Sequence, residues 1–166
     1  MLNHIINLLS IFLPATRFFS FKRFIYGLSG FKLGSNVSFG NCIKSYVLGR
    51  VEIGDNVWIG RNIDISVPSV ASLIIGSNVD VAPYVKFQCG SHKVGPSGRR
   101  AGQGNSKSII IGSGTWIGSS CLILGGTSIG KGTVVAAGSV VLEGNYPDNA
   151  LLAGVPARIL KIYSEF

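Results

Sequence analysis

Apolar residues recur every six positions through most of this chain. Stepping by six from Leu33 reads LGSNVS and FGNCIK, then VLGRVE, IGDNVW, IGRNID and ISVPSV, then IGSNVD, VAPYVK and FQCGSH. Beyond a gap come IGSGTW, IGSSCL, ILGGTS, IGKGTV, VAAGSV and VLEGNY. All fifteen hexads open on an aliphatic residue or Phe, and eight carry Gly second. Fourteen place Val, Ile, Ser, Thr or Cys fifth, Asn145 being the departure.

An α-helix turns every ~3.6 residues, so a period of six would carry the apolar stripe around its surface. Short extended segments joined by turns fit instead. The first position points inward, the second-position Gly relaxes the corner, and the fifth packs a small or β-branched side chain inside. Three such faces close a coil of about eighteen residues, and stacked coils bury one continuous apolar column. The pattern predicts an all-β parallel β-helix of about five coils over 33–146, after an N-terminal helical cap (1–32) and before a C-terminal tail (147–166).

Three stretches interrupt the period: Ser45-Tyr46, Ala71 to Ile74, and Lys93 to Ile110. The last is eighteen residues long and is predicted to project from the column as a loop. Long loops in compact domains are more often functional than accidental. His92 closes the hexad FQCGSH at the root of this loop. An imidazole there suits proton transfer near neutrality; the bland reading is an exposed corner residue.

Composition narrows the classes. The chain has 166 residues, 46% hydrophobic and 13% charged, which suits one folded domain and excludes a disordered one. Its 23 glycines lack a collagen period and so serve turns. A net charge of +8 points to anionic partners, yet apart from Arg99-Arg100 no basic run or nucleic-acid motif is present. Nucleic-acid binding is not expected. Cys42, Cys89 and Cys121 are odd in number and far apart, reading as small buried residues of a reducing compartment. Cys89 in particular reads as interior packing.

At the N-terminus Ile5 to Leu13 is apolar but broken by Asn7 and Ser10 and closed by Pro14, too short to span a bilayer. Neither a basic leader nor a cleavage site is evident, so the segment is expected to be retained and cytoplasmic. Arg17, Lys22 and Arg23 then interleave with phenylalanines and Tyr26. Either these helices cap the open first coil, or they also dock on an anionic inner membrane face.

The tandem [LIV]-G-x-x-[VST]-x hexads resemble the hexapeptide-repeat acyltransferases over about residues 33–162, and that resemblance implies a left-handed helix. The segment from FQCGSH to IGSGTWIGSS is similar in layout to the galactoside and maltose O-acetyltransferase group. The resemblance implies that His92 is the general base, that Trp116 lies beside a thioester, and that the Ser119 N–H faces the oxyanion. It also implies acetyl-CoA as cosubstrate, its pantetheine along Ala137 and its phosphates near Arg158 and Lys161 of LLAGVPARILKI. No metal and no covalent acyl-enzyme is implied. A homotrimer with active sites between subunits is. For Arg158 and Lys161 a helix C-terminal charge effect stands as the bland alternative.

Two parts depart from the family. The loop interior reads GPSGRR where the family is more acidic, and Arg99, Arg100 and Lys107 there are either anion contacts or a solvated face. Where the group carries an acceptor-side Asn this chain has Gly60; Asn62 and Asp64 lie nearby as tentative acceptor contacts, Asp64 equally a surface corner residue. The helix–Gly–hexad arrangement resembles acetyltransferases of bacterial surface-polysaccharide assembly. The function this implies is acetyl-CoA-dependent O-acetylation of a sugar hydroxyl in O-antigen, capsule or exopolysaccharide. The rivals are N-acetylation of an amino sugar, a serine- or xenobiotic-type acetyltransferase, and a non-catalytic scaffold. The zinc carbonic anhydrase branch needs three histidines, and this chain has two, His4 and His92.

Overall fold

The structure is a computed structural model describing residues 2–164. Two helices, α1 (Leu2–Phe12) and α2 (Phe19–Leu28), precede twenty strands, numbered β1 to β20 along the chain. The strands stack into three parallel sheets forming the sides of a triangular prism. The first face holds β1 (Lys32–Leu33), β4 (Arg50–Ile53), β7 (Ser72–Ile75), β12 (Ile109–Ile111), β15 (Thr127–Ile129) and β18 (Gly144–Tyr146). Six strands on one face mean six coils, one more than the hexad count predicts.

The extra coil comes from the end of the chain, where β18 adds to the first face and the residues after it close the second; the interruptions only lengthen earlier coils. Lys44–Val47 and Ser72–Ile75 are strands β3 and β7, not breaks. They lengthen early coils: register partners on the second face are 20 residues apart at Ser38↔Trp58 and 22 at Trp58↔Asp80, against 18 at Trp116↔Val134. The predicted tail also joins the column. β19 (Ala150–Gly154) pairs parallel with β16 (Val134–Val135), and β20 (Ala157–Ile162) returns antiparallel along it.

Register turns the hexad's first position into columns. Phe39, Ile59, Val81, Ile117, Val135 and Leu152 stack up the second face, all fully buried. Each such side chain contributes about 1.5–3 kcal/mol through burial. The fifth position explains its own chemistry: buried Thr115, Thr127 and Thr133 donate Oγ1 to the carbonyls of Gly130, Leu142 and Pro147 on the coil above, at 3.0–3.1 Å. A hydroxyl can sit inside because a backbone acceptor is always one coil away.

The corner works differently from the expectation. The positive-φ residue is the fourth of the hexad, as at Asn56 (φ 53), Asn62 (φ 55) and Gly114 (φ 73). The second-position Gly answers crowding instead: a Cβ on Gly118 would meet the Ala137 nitrogen at 2.6 Å. Backbones of successive coils approach too closely there for any side chain.

At the open end α2 packs on β1 and β2 (Ser38–Phe39) and α1 on β3. Tyr26 stacks on Phe39 at 4.5 Å between centroids. Lys22, read from sequence among the membrane-facing cations, is buried, its Nζ 3.1 Å from the carbonyls of Pro14, Ala15 and Gly40.

Candidate active site

The three corners of the prism do different work. The corner between first and second faces is closed by polar ladders: Asp55 Oδ1 accepts from the Ser35 N–H and hydroxyl at 2.7 and 2.8 Å, and the Asp55 N–H donates to Ser77 Oγ at 3.0 Å. Those bonds hold the Asp55 carboxyl below its usual pKa. The other two corners carry the candidate site residues.

Between third and first faces the chain leaves the column. β10 (Gly90–Val94) runs out and β11 (Ala101–Ser106) returns as an antiparallel hairpin, with His92 opposite Gly104 and Ser91 opposite Asn105. Across it Leu73 and Ile109 are register partners 36 residues apart, one eighteen-residue coil plus an excursion of equal length. Departure begins at Gly90, and Ile109–Ile111 are already back on the first face. The expected irregular loop is a ribbon, whose alternation is obscured in sequence by Gly95, Gly98, Gly102 and Gly104.

At the hairpin's foot lies a cleft of about 360 Å³ lined by Gln88, His92, Asn105, Lys107, Leu124 and Glu143 among others. The Lys107 ammonium sits 2.6 Å from each Glu143 carboxylate oxygen, which accounts for its charge locally. Asn105 Oδ1 is buried without a hydrogen-bond partner, an acceptor left facing a polar cleft. Gln88 Nε2 donates to Asp64 Oδ1 at 3.2 Å, so Asp64 joins the cleft through Gln88. Sequence reading missed Gln88, Asn105 and Glu143. Pairing of Asn105 with the residue beside His92 would have flagged it, had the hairpin been recognised.

Arg99 and Arg100 do not line this cleft. They stand at the hairpin tip, where the Arg100 guanidinium donates to the Gly95 carbonyl at 3.2 Å. Asn62 is at a different corner, between second and third faces, where its positive φ suits Asn as a turn residue.

That corner and the second face collect the remaining predicted residues. Trp116 on β13 (Trp116–Ile117) is 57% exposed on the outer side of the sheet. A register row runs Trp116↔Val134↔Leu151↔Lys161, three strand spacings or about 14 Å. Arg158 lies on the same edge strand opposite Ala153. Because β20 is a strand, the helix-end account of Arg158 and Lys161 does not apply. Ser119 and Ala137 occupy the corner one coil apart: the Gly138 N–H donates to the Ser119 carbonyl at 2.8 Å. Among the described residues, no backbone carbonyl accepts from the Ser119 N–H. An exposed indole, a narrow Gly118–Ala137 step, an unengaged N–H and two cations fit a thioester with an anionic tail.

The structure thus divides the predicted residues. His92 and, through Gln88, Asp64 belong to one corner; Trp116, Ser119, Ala137, Arg158 and Lys161 belong to another face and corner, with the third sheet between. One chain does not bring them together.

Two of the cysteines are unsuited to carry an acyl group. Cys89 and Cys121 are buried, and burial pushes the Cys89 thiol up to about 11 and the Cys121 thiol in the same direction. Neither supplies thiolate at neutral pH.

A prism of hexapeptide coils with an outward hairpin is the architecture of one class of transferase, and comparison with known proteins agrees. The family described as bacterial transferase hexapeptide (six repeats) matches residues 108–143. WbbJ of Escherichia coli K12, whose name provisionally assigns it as a lipopolysaccharide biosynthesis O-acetyl transferase, is 30% identical over 168 residues, 93% of this chain and 83% of WbbJ. The chain belongs to the bacterial hexapeptide-repeat transferase family. Galactoside O-acetyltransferase of the same organism is 37% identical over 112 residues, 65% of this chain, and the match spans only 55% of that enzyme. Among solved structures, a hexapeptide-repeat acetyltransferase of Vibrio cholerae O1 biovar eltor complexed with acetyl coenzyme A superposes with a TM-score of 0.63 at 26% identity, covering 99% of this chain and 86% of that one.

Proposed function

We propose that this protein is an acetyl-CoA-dependent O-acetyltransferase whose acceptor is a sugar hydroxyl of a cell-surface polysaccharide. The observation that carries the reading is His92 at the mouth of a polar cleft, on the one large excursion from an otherwise regular column. The Vibrio relative was solved with acetyl-CoA, and WbbJ, matched over most of its length, is named for lipopolysaccharide biosynthesis. Both support the cosubstrate and the acceptor class.

The chemistry needs two groups of the protein. His92 removes the proton of the acceptor hydroxyl as its oxygen attacks the thioester carbonyl carbon. The Ser119 N–H donates to the oxyanion, an interaction worth about 3–4 kcal/mol of transition-state stabilisation in preorganised sites. The C–S bond then breaks, the acetyl group stays on the sugar oxygen, and the coenzyme A sulfur takes the proton from His92. Trp116 and Ala137 would line the pantetheine path, with Arg158 and Lys161 meeting phosphates. Asp64, joined to the cleft through Gln88, would face the acceptor, whereas Asn62, Arg99 and Arg100 stand away from it.

Because His92 and Ser119 stand on different corners of one chain, a complete site requires two copies, one presenting its hairpin and the next its second face. A closed ring does this with every site alike, and a homotrimer is the expected ring. The test is release of coenzyme A thiol from acetyl-CoA with sugar, nucleotide-sugar, amino-sugar and polysaccharide acceptors. Hydroxyl-dependent release lost in His92→Ala supports the reading; release only with amino sugars makes it an N-acetyltransferase, and no acetyl-CoA binding makes it a scaffold.

A further inference from the structure

Of the apolar residues of helix α1 from Ile5 on, only Ile6 is buried in the core; the rest face outward. The helix's polar residues Asn3, Asn7 and Ser10 fall at helical spacing and grip the column. Asn3 Nδ2 donates to the Val47 carbonyl at 3.0 Å and Asn7 Nδ2 to the Ser45 carbonyl at 3.1 Å. Asn7 Oδ1 accepts from the Ser45 N–H at 2.9 Å, and the Ser10 carbonyl accepts from the Cys42 N–H at 3.0 Å. The opposite face, Ile5, Leu8, Leu9 and Phe12, is apolar at the same spacing and exposed, Phe12 to 83%. A helix on a water-facing domain puts its apolar stripe inward. This one turns most of its apolar side chains outward.

The neighbouring helix extends that surface. Phe18, Phe21 and Phe24 are exposed, and Phe18 holds a left-handed backbone (φ 57), unusual for a bulky residue. Both helices cover the same end of the column. The charge there has one sign: no Asp or Glu precedes Glu52 in the sequence, while Arg17 is exposed and Arg23 half-exposed.

We propose that this end of the molecule docks on an anionic lipid bilayer, α1 lying in the interface with Leu8 and Phe12 among the acyl chains and Arg17 and Arg23 on lipid phosphates. Protein interfaces carry roughly one hydrogen bond per 100–200 Å², and the Ile5–Phe12 stripe has no side chain to make one. No helix among the described residues is long and apolar enough to cross a membrane, so the helix lies on the bilayer rather than through it. The proposal stands on the cap alone and is independent of the catalytic reading.

The experiment is co-sedimentation of the full chain with vesicles of phosphatidylcholine alone or mixed with phosphatidylglycerol. The wild type is expected to sediment with the mixed vesicles. Removing charge in Arg17→Gln and Arg23→Gln should weaken binding about fivefold per arginine, and Leu8→Gln with Phe12→Gln should abolish it. All variants substitute exposed or, at Arg23, half-exposed residues, and unchanged circular dichroism and light-scattering mass verify that they fold and assemble alike. Three results would overturn the proposal: wild type left in the supernatant with both vesicles, equal binding by the Leu8/Phe12 variant, or a lower assembly mass in that variant, which would make the face a contact between copies.

Discussion

The two corners that carry the candidate site differ in how they are made. At the hairpin corner the chain abandons the column, and its groups are polar: His92, Asn105, Gln88 with Asp64, and the Lys107–Glu143 pair. At the second-face corner it never departs from the hexad, and what it offers is an exposed Trp116, close-packed backbone at Gly118 and Ala137, and cations at the sheet edge. The first corner suits proton transfer on a polyol and the second suits a long thioester with a phosphate tail. A regular solenoid can present both only on separate edges, so the proposed reaction requires a second copy of the chain.

That division predicts different kinetic signatures, the largest at His92. His92→Ala should lower kcat by about 10²–10⁴-fold, the range of general acid–base catalysis, with KM for acetyl-CoA unchanged. A parallel rise in KM would merge the two corners. Between them runs the buried column, and Ile123→Ala on the third face should cost about 2–5 kcal/mol, read as a fall in urea midpoint.

On the cofactor side Arg158→Ala with Lys161→Ala should raise KM for acetyl-CoA about tenfold per charge while sparing kcat. High salt should blunt the effect. The cysteines sharpen the contrast more gently, Cys89 under the first corner and Cys121 under the second. At pH 8 a thiol reagent should modify half-buried Cys42 in the native protein and leave both others untouched until unfolding. The sign of the linkage follows from the raised Cys89 value of about 11. The fold keeps a proton that the unfolded chain releases above its ordinary pKa of ~8.5, so this contribution is full below that pH and declines as pH rises towards 11. The smallest effect belongs to the exposed Lys107–Glu143 pair: Glu143→Gln should change stability by no more than about 1 kcal/mol.

Much of this was legible along the chain, for a physical reason. A solenoid coil contacts only its neighbours, so burial repeats with the hexad, and Ile111, Ile117, Ile123 and Ile129 are all buried as the period requires. The coil count was not legible because the sixth coil is completed by Ala150–Gly154, beyond the last hexad and off its six-residue period. The hairpin was hidden by glycines that carry no alternation. Which face of α1 points inward could not be read at all, since apolar spacing alone does not say that Asn3 and Asn7 would find backbone partners on the column. Nor does order along one chain show that His92 and Trp116 lie on different edges; only the fold separates them.

The most direct test of the two-corner account is complementation between inactive chains. His92→Ala and Arg158→Ala/Lys161→Ala chains, each inactive alone at limiting acetyl-CoA, are mixed by co-expression and assayed for acceptor-dependent thiol release. In randomly mixed rings of three, one wild-type hairpin meets one wild-type second face in most assemblies, and activity should return to about a quarter of wild type. Activity no greater than the sum of the separate variants would contradict a site shared between copies.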